Sequence, residues 1–201
     1  IRYPEVDGIS AVNEQRQKVY VNGVDVSVLI SRELYFDHQG KPITTSLKDH
    51  TKEIIKEKFT SLDDFLNKWN TTDRKEAIIA ELQEQGLLVE ALYDAVNKEV
   101  DLFDLICHVA FDQPPLTRQE RANNVKKRNY FTKYGNRAKK VLEALLDKYA
   151  DEGVEPIEET KILTIQPFTD YGTPIEIINV FGGKSKYEEA VKELEQAIYS
   201  S

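Results

Sequence analysis

Residues 101–135 read DLFDLICHVAFDQPPLTRQERANNVKKRNYFTKYG. The first part, LFDLICHVAF, is apolar on nearly all sides, which predicts a helix buried in the middle of a bundle. The two prolines that follow end this helix, because proline has no backbone N–H to continue the hydrogen-bond ladder. Thr117 and Glu120 then form a capping-box pattern that begins a basic helix, which we expect to run to Gly135. The segment therefore joins a core helix to a strongly charged one.

The pattern on both sides of this segment is mostly helical. Apolar residues recur at helical spacing over 138–149 and, after a loop with three prolines, over 187–198. Residues 16–45 instead alternate as strands do, with a hairpin signal at Asn22-Gly23, and predict a small antiparallel meander. We therefore predict a mainly α fold, in which a bundle-like domain of about seven or eight helices at 46–201 follows a small antiparallel β element.

The composition favours a protein of a reducing compartment. The chain has 201 residues and a single cysteine, Cys107, so no intramolecular disulfide can form. No apolar run approaches the roughly 20 residues that cross a bilayer, which argues against a membrane role. We therefore expect a cytoplasmic protein. The lack of methionine and the start at Ile1 suggest a piece of a longer polypeptide.

Charge is distributed unevenly along the chain. The basic segment, residues 118–140, holds nine Lys or Arg and one acidic residue, a net charge of +8 in a chain whose total is −8. Such segregation predicts a surface that meets phosphates or an acidic protein surface. Its aromatic residues suit stacking on bases or protein side chains, but a solvated helix face with core aromatics gives the same pattern. The candidate contact residues for DNA or a protein partner are Arg118, Arg121, Lys126, Lys127, Arg128, Tyr130, Lys133, Arg137, Lys139 and Lys140.

One short pattern imitates a phosphate-binding loop. The letters FGGKS at 181–185 follow a β-like run, IEIINV, and precede a helix, but the motif requires glycine where this chain has Ile178. Without that glycine the loop cannot curl its amides around phosphates. A capping box of Ser185 and Glu188 explains the pattern better.

A metal or nucleophile site in the apolar block also has a simpler explanation. Asp101, Asp104 and His108 could share a helix face, but their surroundings are apolar, and a buried pair of Asp104 with His108 is the expected arrangement. Cys107 and His108 are adjacent and so do not face each other, which argues against a Cys–His nucleophile. We therefore predict no catalytic residue, no cofactor site and no metal site in this chain.

Residues 140–154 read KVLEALLDKYADEGV, and residues 167–199 read PFTDYGTPIEIINVFGGKSKYEEAVKELEQAIY. Together with residues 101–135, these segments resemble the C-terminal domain of the R subunit of type I restriction-modification enzymes. The resemblance extends over about 61–201. VYVNGVDVSVL and LKDHTKEII resemble the connector that follows the second motor domain of such subunits. The resemblance therefore implies a connector at 1–45 and a C-terminal α-helical domain at 46–201.

The resemblance implies that this chain is the tail of a large motor and endonuclease subunit, a type I site-specific deoxyribonuclease of bacterial defence. The nuclease and helicase motifs of that family, with their ATP and Mg²⁺, have no counterpart in this sequence and are expected upstream. In such enzymes the C-terminal helical domain is thought to attach the R subunit to the methyltransferase and specificity subunits. The resemblance assigns no catalytic or nucleotide-binding residue to this chain.

Two hypotheses about function follow. The leading one is an assembly module that docks the R subunit onto the methyltransferase and specificity core, with the basic segment at that interface or near DNA. The alternative is a helical module that binds double-stranded DNA through its phosphates without reading sequence. Under either hypothesis, reversing the charges of Lys126, Lys127 and Arg128 should weaken binding and leave stability nearly unchanged.

Overall fold

The structure is a computed structural model that describes residues 20–21, 24–25, 29, 35–36, 42–43, 46–96 and 99–200. Near the N-terminus, short strands form two antiparallel pairs: Tyr20–Val21 (β1) with Val24–Asp25 (β2), and Tyr35–Phe36 (β3) with Pro42–Ile43 (β4). The predicted meander is not confirmed, because the two pairs share no strand and most of residues 16–45 lie outside the described ones. The division of the chain at residue 45 stays a prediction.

The mainly α class of the fold is confirmed. Within residues 46–200 the α-helices are Leu47–Lys58 (α1), Leu62–Thr71 (α2), Lys75–Glu84 (α3), Val89–Ala95 (α4), Leu102–Phe111 (α5), Arg118–Lys127 (α6), Asn136–Glu152 (α7), Glu155–Glu158 (α8), Pro174–Val180 (α9) and Lys184–Tyr199 (α10). Short 3₁₀ helices connect some of them, at Tyr130–Lys133, Thr160–Thr164 and Phe168–Tyr171.

Helix α5 lies in the centre of the core, as predicted. Every residue from Leu102 to Ala110 is buried, and the helix packs against α1. The ring of Phe103 contacts both Trp69 of α2 and Tyr199 of α10, with ring centroids 5.3 and 4.7 Å away. Each large apolar side chain that is fully buried stabilises the fold by about 1.5–3 kcal/mol. This helix therefore holds the N-terminal and C-terminal helices together.

The basic helix is shorter than the sequence predicts. Its capping box is confirmed, since the Thr117 hydroxyl accepts a hydrogen bond from the backbone N–H of Glu120. However, α6 ends at Lys127, because Asn129 adopts a left-handed conformation with φ 52°. A 3₁₀ turn then leads to Gly135, the N-cap of α7. The basic segment consequently lies on two helices and the turn between them.

The region between α7 and α10 is mostly helical, not the predicted loop. The run IEIINV forms α9 because Thr173 and Glu176 make a capping box and Pro174 occupies the first turn, where its missing N–H costs nothing. The following helix, α10, begins after Gly183, whose φ of 117° suits glycine alone. The predicted capping box of Ser185 is therefore wrong, since this residue already lies inside the helix.

Candidate interaction surface of the basic segment

Arg121 is the one basic residue of the segment that is buried in the core. It is 4% exposed, and its Nε and Nη2 atoms donate to the Asp104 carboxylate at 2.6 and 2.7 Å. Burial is the largest single effect and opposes the charge of Arg121, but the hydrogen bonds to Asp104 together with the negative charge of the surrounding groups raise the pKa of the guanidinium group. Two short charge-assisted bonds indicate an ionised pair. The prediction that Arg121 contacts a partner is wrong, because its charge is neutralised inside the protein.

This pairing also overturns the expected bond between Asp104 and His108. The two oxygens of Asp104 are occupied by Arg121 and by the backbone N–H of Leu116. His108 instead places Nδ1 3.1 Å from the carbonyl oxygen of Gln113. Within the described residues no group of His, Cys, Asp or Glu side chains could hold a metal ion.

Arg118 and Arg128 bind the C-terminal ends of helices. Arg118 Nε donates to the carbonyl oxygen of Ala150 at 3.2 Å, near the end of α7. Arg128 Nη2 donates to the carbonyl oxygen of Ala197 at 2.7 Å, near the end of α10. Cations are favourable there because the last carbonyls of a helix lack partners within it and the helix dipole is negative at that end. Both arginines thus fasten the basic segment to neighbouring helices.

Three lysines of the segment form ion pairs at the surface. Lys126 Nζ lies 2.8 Å from Asp147 of α7, Lys133 pairs with Glu193 of α10, and Lys139 lies 4.0 Å from Glu143. The side chains of these pairs are 42% to 63% exposed. Exposed pairs of this kind contribute only about 0–1 kcal/mol to stability. A binding partner could therefore replace the acidic residue of such a pair at little energetic cost.

The aromatic residues of the segment are mainly structural. Phe131 is 5% exposed and belongs to the core. Tyr130 is half-buried, and burial raises the pKa of its hydroxyl. Lys133 Nζ lies over the rings of Tyr130 and Tyr134, 5.7 and 5.2 Å from their centroids. The stacking role proposed for Tyr130 stays a prediction, and only part of its ring is accessible.

Two basic residues near the start of α7, and exposed apolar residues of the segments that follow α7, are candidates for a further contact surface, which we call the mixed face. We define it by Arg137, Lys140, Ile165, Tyr171 and Ile175. Arg137 Nη2 donates to the carbonyl oxygen of Tyr171 at 2.9 Å, and Lys140 and Tyr171 line one surface cavity of about 430 Å³. Ile175 is 71% exposed and Ile165 44%, and they are the large hydrophobic side chains most exposed among the described residues.

The sequence did not point to the apolar half of this face. Ile175 stands in the run that reads as a strand, and Ile165 in the expected loop. A signal was present, since the Thr173 and Glu176 spacing indicates a helix start, and this helix buries Ile177 but not Ile175. The structure places Lys127, Lys139 and Lys140 at the exposed surface as well, but it does not bring all the basic residues into one stripe.

Across the described part of the chain, none of the helices has both the length and the apolar content that a membrane span requires. The family model described as EcoEI R protein C-terminal matches residues 45–199. The chain is also similar to the type I restriction enzyme EcoAI endonuclease subunit of Escherichia coli, with 52% identity over 184 residues. That similarity covers 91% of this chain and 23% of the relative, so the chain spans about a quarter of the relative's length. No solved structure matches.

Proposed function

Because the chain belongs to the EcoEI R protein C-terminal family, we propose that it docks the R subunit of a type I restriction enzyme onto the methyltransferase and specificity subunits. In this proposal the chain assembles the complex and performs no reaction itself. DNA translocation and cleavage, with their need for ATP and Mg²⁺, belong to the rest of the subunit. The complex works in the bacterial cytoplasm.

The mixed face is the observation that carries this proposal. Exposed isoleucines beside arginine, lysine and tyrosine are typical of protein interfaces, where an apolar centre is surrounded by a polar rim. Ile175 and Ile165 would supply the apolar centre, and Arg137 and Lys140 the rim. A surface made only for DNA would need the cations and would gain little from exposed isoleucines.

The acidic neighbours of the basic segment also favour a protein partner. Asp147, Glu143 and Glu193 lie beside its exposed lysines, so the local positive field is weaker than the sequence count implies. Phosphate binding depends on that field, because affinity comes from neutralising several phosphates at once. A protein surface can match alternating charges one by one.

Binding of duplex DNA is the second candidate function, and one specific observation favours it. Lys126, Lys127 and Arg128 are consecutive and exposed at the end of α6. Their number suits two or three phosphate contacts. In a plot of the logarithm of the affinity against the logarithm of the salt concentration, each phosphate contact should contribute a slope of about −0.9. A weak or salt-insensitive interaction of the 201-residue chain with duplex DNA would exclude this role.

Co-elution with the methyltransferase and specificity subunits on size exclusion tests the docking proposal. The wild-type chain should co-elute, and the variant Arg137→Glu with Lys140→Glu should not, since it reverses the charged rim. Lys56→Glu with Lys68→Glu on α1 and α2 makes the same charge change at exposed sites outside this face and should co-elute normally. Failure of the folded wild-type chain to co-elute would refute docking, and equal co-elution of the first variant would refute the mixed face.

A further inference from the structure

One side chain from the N-terminal part of the chain belongs to the core of the helices. Leu29 is 0% exposed, and it is among the largest side chains that are fully buried in the described part of the chain. It lies in the same cluster of buried apolar side chains as residues of α1, α2, α5 and α10. Because Leu29 precedes α1 in the sequence, this core is not built from the helices alone.

The position of Leu29 is unexpected from the sequence and from the family match. The sequence places this residue in the connector, residues 1–45, and the family model begins only at residue 45. Neither indicates that a residue of the connector completes the core of the helical region, residues 46–200. The burial of Leu29 shows that the two parts of the chain share one core.

A fully buried leucine is well suited to hold such a junction. Removing its side chain leaves a cavity, and the close-packed side chains around it refill that cavity only in part. Moving the whole residue out of the core would also return its apolar surface to water, which is unfavourable. The helical region therefore has an apolar site that is complete only when Leu29 occupies it.

We propose that the helical region binds the connector as an intramolecular ligand, with Leu29 as the anchoring side chain. The contact lies within the chain and uses none of the residues of the mixed face. It therefore does not depend on the proposal that the chain docks onto the methyltransferase and specificity subunits.

The anchor has a mechanical consequence, which rests on the proposed function. It holds the polypeptide before Leu29 at a defined place on the helical region and not through a free linker. Because a core is close-packed and transmits strain, a force on the connector must either pull Leu29 out of its site or move the helices with it. In the R subunit, whose motor domains are expected upstream, a movement of the motor is thus passed to the helices at this residue.

A cleavable form of the 201-residue chain tests the anchor. A site for a sequence-specific protease is inserted after Gly40, in the connection between β3 and β4, because such connections tolerate insertions best. After cleavage, the wild-type pieces should elute together on size exclusion. Leu29→Asp should release residues 1–40, since it places a charge in an apolar site. The pairing of β3 with β4 is the same in both forms, so a difference between them comes from residue 29.

Three further variants distinguish the anchor from a general loss of structure. Leu29→Met keeps the volume and the apolar character of the side chain, so its pieces should stay together. Leu29→Ala should raise the dissociation constant of the cleaved pieces about a hundredfold, since it leaves a cavity in the core. Ala77→Asp adds the same charge as Leu29→Asp at an exposed position of α3 and is the matched control, whose pieces should elute together.

Nuclear Overhauser effects from the methyl groups of Leu29 in the uncleaved wild-type chain give a measurement that does not depend on how any variant folds. Contacts with methyl groups of residues after 46 are expected. Absence of these contacts, separation of the wild-type pieces, or retention of residues 1–40 by Leu29→Asp at the wild-type level would overturn the proposal. Neither measurement involves another subunit, so failure of the anchor is distinguishable from failure of docking.

Discussion

The guanidinium group of Arg121 and the carboxylate of Asp104 form a bidentate ion pair in the core, between helices α6 and α5. Arg121 Nη1 also donates to the carbonyl oxygen of Ile198 at 3.0 Å, so one side chain connects three helices. Its guanidinium group lies 5.0 Å from the ring centroid of Phe103. The most basic part of the sequence is thus anchored to the most apolar part by one of its own charges.

Removing one member of this pair should strongly destabilise the protein. Arg121→Met leaves Asp104 buried without its main partner, and loss of one partner of a buried pair costs about 3–5 kcal/mol. The free energy of unfolding from urea titration measures this. Lys127→Met, an exposed change in the same helix, should shift it by less than about 0.5 kcal/mol.

The double variant Arg121→Met with Asp104→Leu distinguishes a buried charge from lost packing. It removes both charges, so it should be more stable than Arg121→Met alone. Equal or lower stability of the double variant would mean that the packing of Arg121, and not its charge, holds the three helices together.

A second buried carboxylate, Asp101, should show strong coupling between two tyrosines. Asp101 Oδ2 accepts hydrogen bonds from the hydroxyls of Tyr149 and Tyr199 at 2.8 and 2.9 Å. Tyr149→Phe or Tyr199→Phe alone should cost about 1.5–3 kcal/mol, because a bond to a charged group is lost while the other remains. Together they should cost more than the sum, since the oxygen then has no hydroxyl partner. Simple additivity in thermal unfolding would argue against this network.

The sequence predicted those parts of the fold that depend on local signals. The apolar run of α5, the Thr117 and Glu120 capping box, and the amphipathic face of α7 all depend on spacing along the chain, and the structure has each of them. Helix α9 was missed because its β-branched residues favour strands, although its capping box is equally local.

The candidate surface was harder to predict because it depends on contacts between distant residues. Nothing near Arg121 in the sequence shows that it will meet Asp104 and Ile198. Likewise, the acidic neighbours of Lys126 and Lys133 come from α7 and α10, so a count of charges along the segment overstates its positive field. The family resemblance, which was inferred from longer motifs, is confirmed by the matching family model and by the similar relative.

The stability of the protein should fall as the pH rises, through Glu195. Its pKa is raised from 4.5 to about 9 in the folded protein, mainly by burial. The folded state therefore holds a proton that the unfolded chain has lost, and this contribution is complete below about pH 4.5 and lost by about pH 9. The lowered pKa of Lys75 acts in the opposite direction.

Melting temperatures of wild type and Glu195→Gln over this pH range test the prediction. The variant carries no titrating group at this position, so its melting temperature should fall less than that of the wild type. Glu188→Gln, at an exposed position of the same helix, should follow the wild type at every pH. Parallel curves for wild type and Glu195→Gln would show that Glu195 is ionised in the folded protein.

Charge reversals at the end of α6 should separate residues that meet a partner from one that holds the fold. Lys126→Glu with Lys127→Glu changes exposed side chains, and Lys126 has only a weak surface pair with Asp147 to lose, so stability should change by less than about 0.5 kcal/mol. Arg128→Glu should cost more, because it removes the bonds to the Ala197 carbonyl and the Ser200 hydroxyl and puts a negative charge at the C-terminal end of α10. The sequence suggested that these three residues form one interchangeable set, but the contacts of Arg128 with α10 distinguish it from the two lysines. If urea titration gives equal small losses for both variants, Arg128 is available to a partner and its contacts with α10 contribute nothing to the fold.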